Sequence, residues 1–165
     1  MNRWRNGVVG VLSAAALTAA LGACGEDGNG TDPGPQQEGT ESAEATVATS
    51  DSEVGTILTD GQGNTLYLFT EDSPGTSACE DDCLQAWPTL EGEAAAGDGV
   101  DAELLDTIER PDGTVQATYN DWPLYYYAED AESGDLNGQG VNDAWWVVDP
   151  GGNAIQQMPE GGSGY

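Results

Sequence analysis

The chain has 165 residues, with 30 Asp and Glu against three Lys and Arg and no histidine. Its formal net charge of −27 repels nucleic acid, so nucleic-acid binding is excluded from the expected functions. Without His or Lys, the Ser/His/Asp, Cys/His and Schiff-base routes of nucleophilic catalysis are closed, which leaves paired carboxylates as the catalytic chemistry open to the chain.

Residues 1–23 are organised like a cleavable export signal. Arg3 and Arg5 precede an apolar run that is shorter than the about 20 residues of a membrane-spanning helix. The run ends in Leu21-Gly22-Ala23-Cys24, which resembles the bacterial lipobox, whose cysteine receives diacylglycerol. We therefore predict a lipoprotein signal peptide over 1–23, lipidation of Cys24, and a lipid-anchored position on the extracytoplasmic side of the cell membrane.

Residues 24–53 predict a disordered acidic tether, because Gly, Pro, Gln, Thr, Ser and acids dominate without apolar periodicity. After loss of the signal peptide, Arg110 is the remaining fixed cation beside 30 acids. Two interpretations of this acidity stay open. It is either the hydrated surface of a protein adapted to high salt or a surface that attracts cations or a basic protein.

Cys79 and Cys83 remain as a pair once Cys24 is lipidated, and an oxidising compartment favours a disulfide between them. The alternative is a redox-active or metal-binding pair. Three residues separate the cysteines instead of the two of thioredoxin-like motifs, and those residues are acids that oppose thiolate formation. The disulfide is therefore the prediction.

An internal repeat appears when the chain from Val54 onward is aligned with itself at an offset of 58 residues, without a gap. The offset aligns Leu66-Tyr67-x-Phe69 with Leu124-Tyr125-x-Tyr127, and Ala86-Trp87 with Ala144-Trp145. This grouping indicates a duplicated unit. We predict one domain over 54–158, with units at about 54–100 and 101–158, and a frayed tail over 159–165.

The predicted fold is mostly β: two tandem related β units forming one small domain, with a short helix near 79–87. β-rich runs at 56–59 and 65–69 flank turn residues, as do those at 145–148 and 154–155, so each pair predicts a hairpin. The helix is suggested by the capping-box spacing of Ser77 and Glu80. Residues 101–109 fit a helical turn and a strand equally well.

Two aligned segments carry a resemblance to a known family. Tyr67-Leu68-Phe69-Thr70-Glu71-Asp72 and Tyr125-Tyr126-Tyr127-Ala128-Glu129-Asp130 resemble the repeat of predicted bacterial secreted lipoproteins with a Tyr-x-aromatic-x-x-Asp motif. The resemblance extends from Gly55 to about Pro150. It implies export, lipidation and tandem repeats. It implies no catalytic residues, because the family has no assigned biochemical function.

The motif residues Tyr67, Phe69, Asp72, Tyr125, Tyr127 and Asp130 have two interpretations. As core residues, the phenols would reach a backbone group or the Asp three or five residues later in the chain. As an exposed face, the rings would form a platform for sugar rings, a proline-rich peptide or a planar cofactor. The platform interpretation rests on the concentration of aromatic residues in the second unit, which has Trp122, Tyr125, Tyr126, Tyr127, Trp145 and Trp146.

A calcium site is the one candidate cofactor site. Asp135, Asn137, Gln139 and Asp143 stand at positions 1, 3, 5 and 9 of a calcium-loop pattern with glycine at position 6. Trp146 occupies position 12, where a bidentate Glu is expected. The alternative is a Gly-rich turn held by Asx hydrogen bonds.

These observations predict a membrane-anchored, non-catalytic binding or structural module of the cell envelope, whose partner is an envelope protein or a glycan. The alternative function is an extracytoplasmic hydrolase that uses a carboxylate pair such as Asp72 with Asp130.

Overall fold

The computed structural model describes residues 45–160. Within this range the chain forms eight strands and one α-helix: β1 Ala45–Ser52, β2 Gly55–Asp60, β3 Tyr67–Phe69, α1 Asp82–Ala86, β4 Ala94–Ala96, β5 Leu105–Glu109, β6 Val115–Tyr119, β7 Trp122–Pro123 and β8 Trp145–Val147. The predicted mostly β fold with a short helix is confirmed.

The strands form three small sheets, two of which begin with a hairpin. β1 and β2 pair antiparallel, and β4 joins the other edge of β1 in parallel. β5, β6 and β7 form a consecutive antiparallel sheet. Asn120 and Asp121 turn β6 into β7 with positive φ angles of 50° and 67°, which suits a two-residue hairpin turn and the residue types that tolerate it.

The third sheet joins the two repeats. β3 of the first repeat pairs antiparallel with β8 of the second. The repeat equivalents of β3 and β8 are residues 125–127 and 87–89. These segments also pair, since Tyr126 N–H donates to Pro88 O at 2.7 Å. Tyr67 and Tyr125, which are aligned by the repeat, exchange both backbone hydrogen bonds with each other, at 2.9 and 3.0 Å. A residue that pairs with its own equivalent marks an approximate twofold axis between the repeats.

The core has two parts. The aliphatic cluster comprises Val47, Leu58, Leu66, Leu68, Leu90, Ala117, Tyr119, Leu124 and Val148. The aromatic cluster comprises Val54, Ile57, Tyr67, Cys79, Trp87, Tyr125, Ala144, Trp145 and Val147. Both clusters draw residues from both repeats, so neither repeat has a core of its own.

β1 corrects the predicted tether. The expectation that residues 24–53 are disordered is wrong for Ala45–Ser52, and the domain begins before Val54. This strand has one fully buried apolar residue, Val47, among Ala, Thr and Ser, so it has no apolar alternation for a sequence pattern to show. The signal peptide, Cys24, the rest of the tether and the tail beyond Glu160 lie outside the described residues.

The helix and the undecided segment also differ from their predictions in detail. α1 begins at Asp82, and Asp81 precedes it without a side-chain capping bond, so the predicted capping box does not form. The hydroxyl of Ser77 is used elsewhere, as described below. Residues 101–109 contain both predicted alternatives, a 3₁₀ turn over Ala102–Leu104 followed by β5. In the described range, the structure has no helix long and apolar enough to cross a membrane.

If β1 is part of the domain, shortening its buried side chain destabilises the whole fold. Val47→Ala is expected to lower the free energy of unfolding by about 2 kcal/mol, because it removes methyl groups from the aliphatic cluster. Ser50→Ala on the exposed side of the same strand is the matched control and is expected to change little. Urea unfolding of the full chain measures both. Equal stability of the two variants would contradict the placement of β1.

Candidate functional site

The motif tyrosines bond across the twofold axis. Tyr67 Oη donates to Asp130 Oδ2 at 2.7 Å, and Tyr125 Oη donates to Asp72 Oδ2 at 2.8 Å. Both tyrosines are core residues, as the first interpretation predicts, and Tyr67 Oη also accepts a backbone N–H from Gly138 at 3.3 Å. The Asp that each phenol reaches is, however, that of the opposite repeat and not that of its own motif. A strand side chain stands roughly perpendicular to its sheet, so it reaches a neighbouring segment more readily than a residue further along its own chain.

Each motif aspartate also holds the loop that follows its motif. Asp72 Oδ1 accepts the Ala78 N–H at 2.7 Å, and Asp130 Oδ1 accepts the Asn137 N–H at 3.0 Å. One oxygen of each carboxylate thus binds the opposite tyrosine and the other binds its own loop. The motif acts as a clamp between the repeats.

The electrostatics keep the phenols protonated. Burial raises the pKa of Tyr67 and of Tyr125, and the neighbouring carboxylates raise it further. Burial also raises the pKa of Asp72 and Asp130, although the hydrogen bonds from Tyr and the backbone oppose that shift. The phenols therefore serve as donors and the carboxylates as acceptors.

Four aromatic rings follow one another across the axis, and we call them the four-ring stack. Their order is Phe69, Trp145, Trp87 and Tyr127. The two indoles are face to face, with ring centroids 3.8 Å apart and planes inclined by 2°. Phe69 lies 4.2 Å from Trp145, and Tyr127 lies 4.3 Å from Trp87. Both indoles are buried, and the two outer rings are half-buried.

The motif tyrosines meet this stack edge-on. Tyr67 contacts Trp87 at a centroid distance of 5.4 Å, and Tyr125 contacts Trp145 at 5.1 Å. The backbone at Gly138 closes over Tyr67 and Trp87. A Cβ there would lie 2.8 Å from Trp87 Cη2 and 2.9 Å from Tyr67 Cζ, so glycine is required by this close approach.

Arg110 is buried, with 5% of its surface exposed. Its Nη1 donates to Ser77 Oγ at 2.7 Å and to Gln116 Oε1 at 2.6 Å, and its Nη2 donates to Cys79 O. The guanidinium thus bonds two side chains and a backbone carbonyl and does not bond the nearby Asp112 carboxylate. The Asp112 carboxylate accepts hydrogen bonds from the Thr114 backbone and hydroxyl, which lower its pKa.

The predicted disulfide is formed between Cys79 and Cys83 and closes the loop that Arg110 holds. Ser77 joins this loop to the clamp, because its hydroxyl lies 2.6 Å from Tyr125 Oη. The first repeat therefore has a covalent bridge and a buried cation beside its motif.

The structure does not gather the predicted calcium ligands. Gln139 Oε1 accepts the Val147 N–H, and its Nε2 donates to two carbonyls of the C-terminal segment. Asp135 Oδ2 accepts the backbone N–H groups of Ala131 and Glu132, and Asn137 Nδ2 donates to Glu129 O. Asp143 is exposed. Among residues 45–160, no group of three or more His, Cys, Asp or Glu side chains could hold a metal ion.

Two features of the site were missed at the sequence level, the four-ring stack and the Arg110–Gln116 contact. The stack had a signal, since Trp87 and Trp145 are aligned by the repeat together with Phe69 and Tyr127. Gln116 had none, because a polar residue on a strand gives no indication that it is buried. None of the six aromatic residues of the predicted platform is exposed: three are buried (Tyr125, Trp145, Trp146) and three are half-buried (Trp122, Tyr126, Tyr127).

The chain is thus a protein of two β repeats, each of which completes the motif of the other. Comparison with protein families agrees with this description. The family described as a secreted repeat of unknown function matches residues 48–91 and 106–149, which together make up more than half of the chain. The chain belongs to this family of secreted repeats. Neither curated proteins nor solved structures yield a match.

A double-mutant cycle distinguishes bonding across the axis from bonding within a motif. Tyr67→Phe is expected to cost about 1 kcal/mol of stability, because it leaves an oxygen of the half-buried Asp130 carboxylate without its donor. Combined with Asp130→Asn, it is expected to show a coupling energy of about 1 kcal/mol. Combined with Asp72→Asn, it serves as the matched control and is expected to be additive. Coupling to Asp72 instead of Asp130 would contradict the exchange.

The raised pKa values of Asp72 and Asp130 give stability a defined pH dependence. A folded-state pKa above the unfolded value, about 4, means that protonation stabilises the fold. This contribution is present at low pH and is lost as the pH rises through the raised folded-state pKa.

We therefore expect Asp72→Asn with Asp130→Asn to reduce this loss of stability as the pH rises from about 4. Asp112→Asn is the control of opposite sign, because its lowered pKa gives stability that is lost on acidification. Urea unfolding at about 1 M salt, where surface repulsion is screened, measures the free energy of unfolding of the parent and of each variant as a function of pH. If both variants change the slope of stability against pH in the same direction, the assigned directions of the pKa shifts are wrong.

Proposed function

We propose that the chain is a lipid-anchored, extracytoplasmic protein of the cell envelope, whose repeat domain is a non-catalytic binding or structural module. The observation that supports this proposal is that the motif tyrosines bond the motif aspartates of the opposite repeat. The residues shared by the two repeats, tyrosine, aromatic ring and aspartate, make their contacts with each other. They therefore hold the two repeats together, which supports a structural role for the motif.

The surface supports an extracytoplasmic role in contact with water and ions. Within residues 45–160, the single basic side chain is Arg110, which is buried, so the described surface is acidic without exposed fixed cations. Such a surface resists association with anionic lipid headgroups. Its partners are therefore neutral or basic, such as a neutral glycan or a basic envelope protein. The lipid on Cys24 would supply the attachment to the membrane.

The carboxylate hydrolase is less well supported. Asp72 and Asp130 are the pair that the repeat singles out, and each accepts a tyrosine hydroxyl and a backbone N–H. A hydrolytic pair needs both carboxylates free to face one substrate. In the described structure these two carboxylates face different tyrosines.

The anchor is tested by replacing the lipidated cysteine. Cys24→Ala is expected to move the protein from the membrane fraction to the soluble or secreted fraction, because the apolar signal segment is too short to hold it. Immunoblotting of fractionated cells measures the distribution. The matched control is Cys79→Ala with Cys83→Ala, which removes the disulfide and leaves Cys24 in place. Retention of Cys24→Ala in the membrane would refute lipid anchoring.

A separate experiment tests the module. The full chain, immobilised through its C terminus, is incubated with neutral envelope glycan fragments and with basic envelope proteins at low and at molar salt. Saturable binding without turnover supports a binding module. Release of shortened glycan that stops in Asp72→Asn with Asp130→Asn would favour the hydrolase.

A further inference from the structure

The two indoles at the centre of the four-ring stack have a geometry that aromatic packing by itself does not favour. Aromatic pairs prefer offset or edge-to-face contacts with centroids about 4.5–7 Å apart. Trp87 and Trp145 are instead parallel within 2° at 3.8 Å. Two overlapping π systems at this distance share a positive charge if one electron is removed. The indole pair is therefore where the core loses an electron most readily.

Each indole has a proton-coupled electron donor beside it. Tyr67 meets Trp87 edge-on and donates its hydroxyl proton to Asp130 at 2.7 Å. Tyr125 and Asp72 repeat the arrangement at Trp145. A phenol that loses an electron becomes a strong acid, so its oxidation needs a proton acceptor within hydrogen-bond distance.

We propose that the four-ring stack and its two tyrosine–aspartate pairs form a one-electron oxidation site, which takes an oxidising equivalent from a small radical and holds it as a tyrosyl radical. The small radical accepts one electron from the indole pair and is thereby reduced. Tyr67 or Tyr125 then donates one electron to the oxidised indoles. Its O–H bond breaks, and the proton moves to the hydrogen-bonded carboxylate. A one-electron reductant later restores the phenol, and the proton returns to it.

The surroundings favour each step. The half-buried rings of Phe69 and Tyr127 lead from the surface to the buried indoles. The nearby carboxylates and the acidic surface stabilise the positive charge of an oxidised indole pair. Burial raises the pKa of both motif aspartates, which makes them stronger bases for the phenolic proton. The proposal does not depend on how the chain is anchored.

Pulse radiolysis with the azide radical, a small one-electron oxidant, tests the proposal on the full chain in detergent. All variants carry Tyr127→Phe, which keeps the ring in the stack and removes its phenol. In this parent, the absorption of the oxidised, positively charged indole pair is expected to decay with first-order kinetics, independent of protein concentration, while tyrosyl absorption grows. Tyr67→Phe with Tyr125→Phe is expected to lose that growth.

The matched control is Tyr119→Phe with Tyr126→Phe, which removes two phenols outside the stack and is expected to leave the growth intact. Tyr119 donates to the Pro150 carbonyl, whereas Tyr126 donates to Asp60. Equal tyrosyl yield in the test and control pairs overturns the proposal. Decay whose rate depends on protein concentration also overturns it, because transfer would then occur between molecules.

Proton transfer is tested on the folded parent, so the result does not depend on a variant that fails to fold. Tyrosyl growth is expected to slow in D₂O, because the phenolic proton moves to the carboxylate in that step. An absent isotope effect refutes the role of the tyrosine–aspartate pairs. Near-UV circular dichroism verifies that each variant is folded, and single Tyr67→Phe and Tyr125→Phe variants replace the pair if it is not.

Discussion

The hydrogen bond from each motif tyrosine to the aspartate of the opposite repeat is the interaction on which the rest of the domain depends. Each bond joins a tyrosine of one repeat to an aspartate of the other. The second oxygen of that aspartate accepts a backbone N–H from the loop that follows its own motif. The edge-on contacts of Tyr67 and Tyr125 with the indoles follow from the same placement. Stability, loop order and stack geometry are therefore properties of one cluster.

Such a cluster carries a cost that the fold has to offset. Asp72 is buried and Asp130 is half-buried, and withdrawing carboxylates from water is unfavourable unless they are hydrogen-bonded. Both oxygens of Asp72 and of Asp130 have donors, which meets this requirement. Arg110 adds a buried positive charge close to Ser77 and Tyr125, and its attraction lowers the pKa of Asp72 against the effect of burial.

The sequence predicts the features that depend on local pattern or on self-similarity. The family match begins at residues 48 and 106, which agrees with the offset of 58 found by aligning the chain with itself. The disulfide follows from the cysteine count. The segments of the two predicted hairpins meet only at the isolated bridges of Thr59 with Thr65 and Val148 with Ala154, because β2 and β3 pair in different sheets. The short helix forms without the capping box that suggested it. β1 does not follow from a local signal, because a strand with one buried apolar residue gains its place by pairing with β2. That pairing depends on the folded chain and not on a local sequence pattern.

The exchange of tyrosine–aspartate bonds is hidden from the sequence for a different reason. In a duplicated chain, a contact within a repeat and the equivalent contact between repeats use the same residue types at the same aligned positions. Spacing therefore does not distinguish Tyr67 with Asp72 from Tyr67 with Asp130. The mutual backbone bonds of Tyr67 and Tyr125 place the twofold axis between these two residues. That position of the axis brings each tyrosine to the aspartate of the opposite repeat. The duplication predicts the parts of the site, and only the fold assigns their partners.

The repeats agree closely at the axis and diverge away from it. The loop after the first motif is closed by the Cys79–Cys83 disulfide and held by Arg110. The corresponding loop of the second repeat is held by Gln139, whose side chain bonds β8 and the C-terminal segment. Two different chemistries thus stabilise equivalent loops around one symmetrical centre. A substitution at the shared centre alters contacts of both repeats, because each tyrosine–aspartate bond joins one repeat to the other, whereas a substitution in one outer loop alters the contacts of that loop.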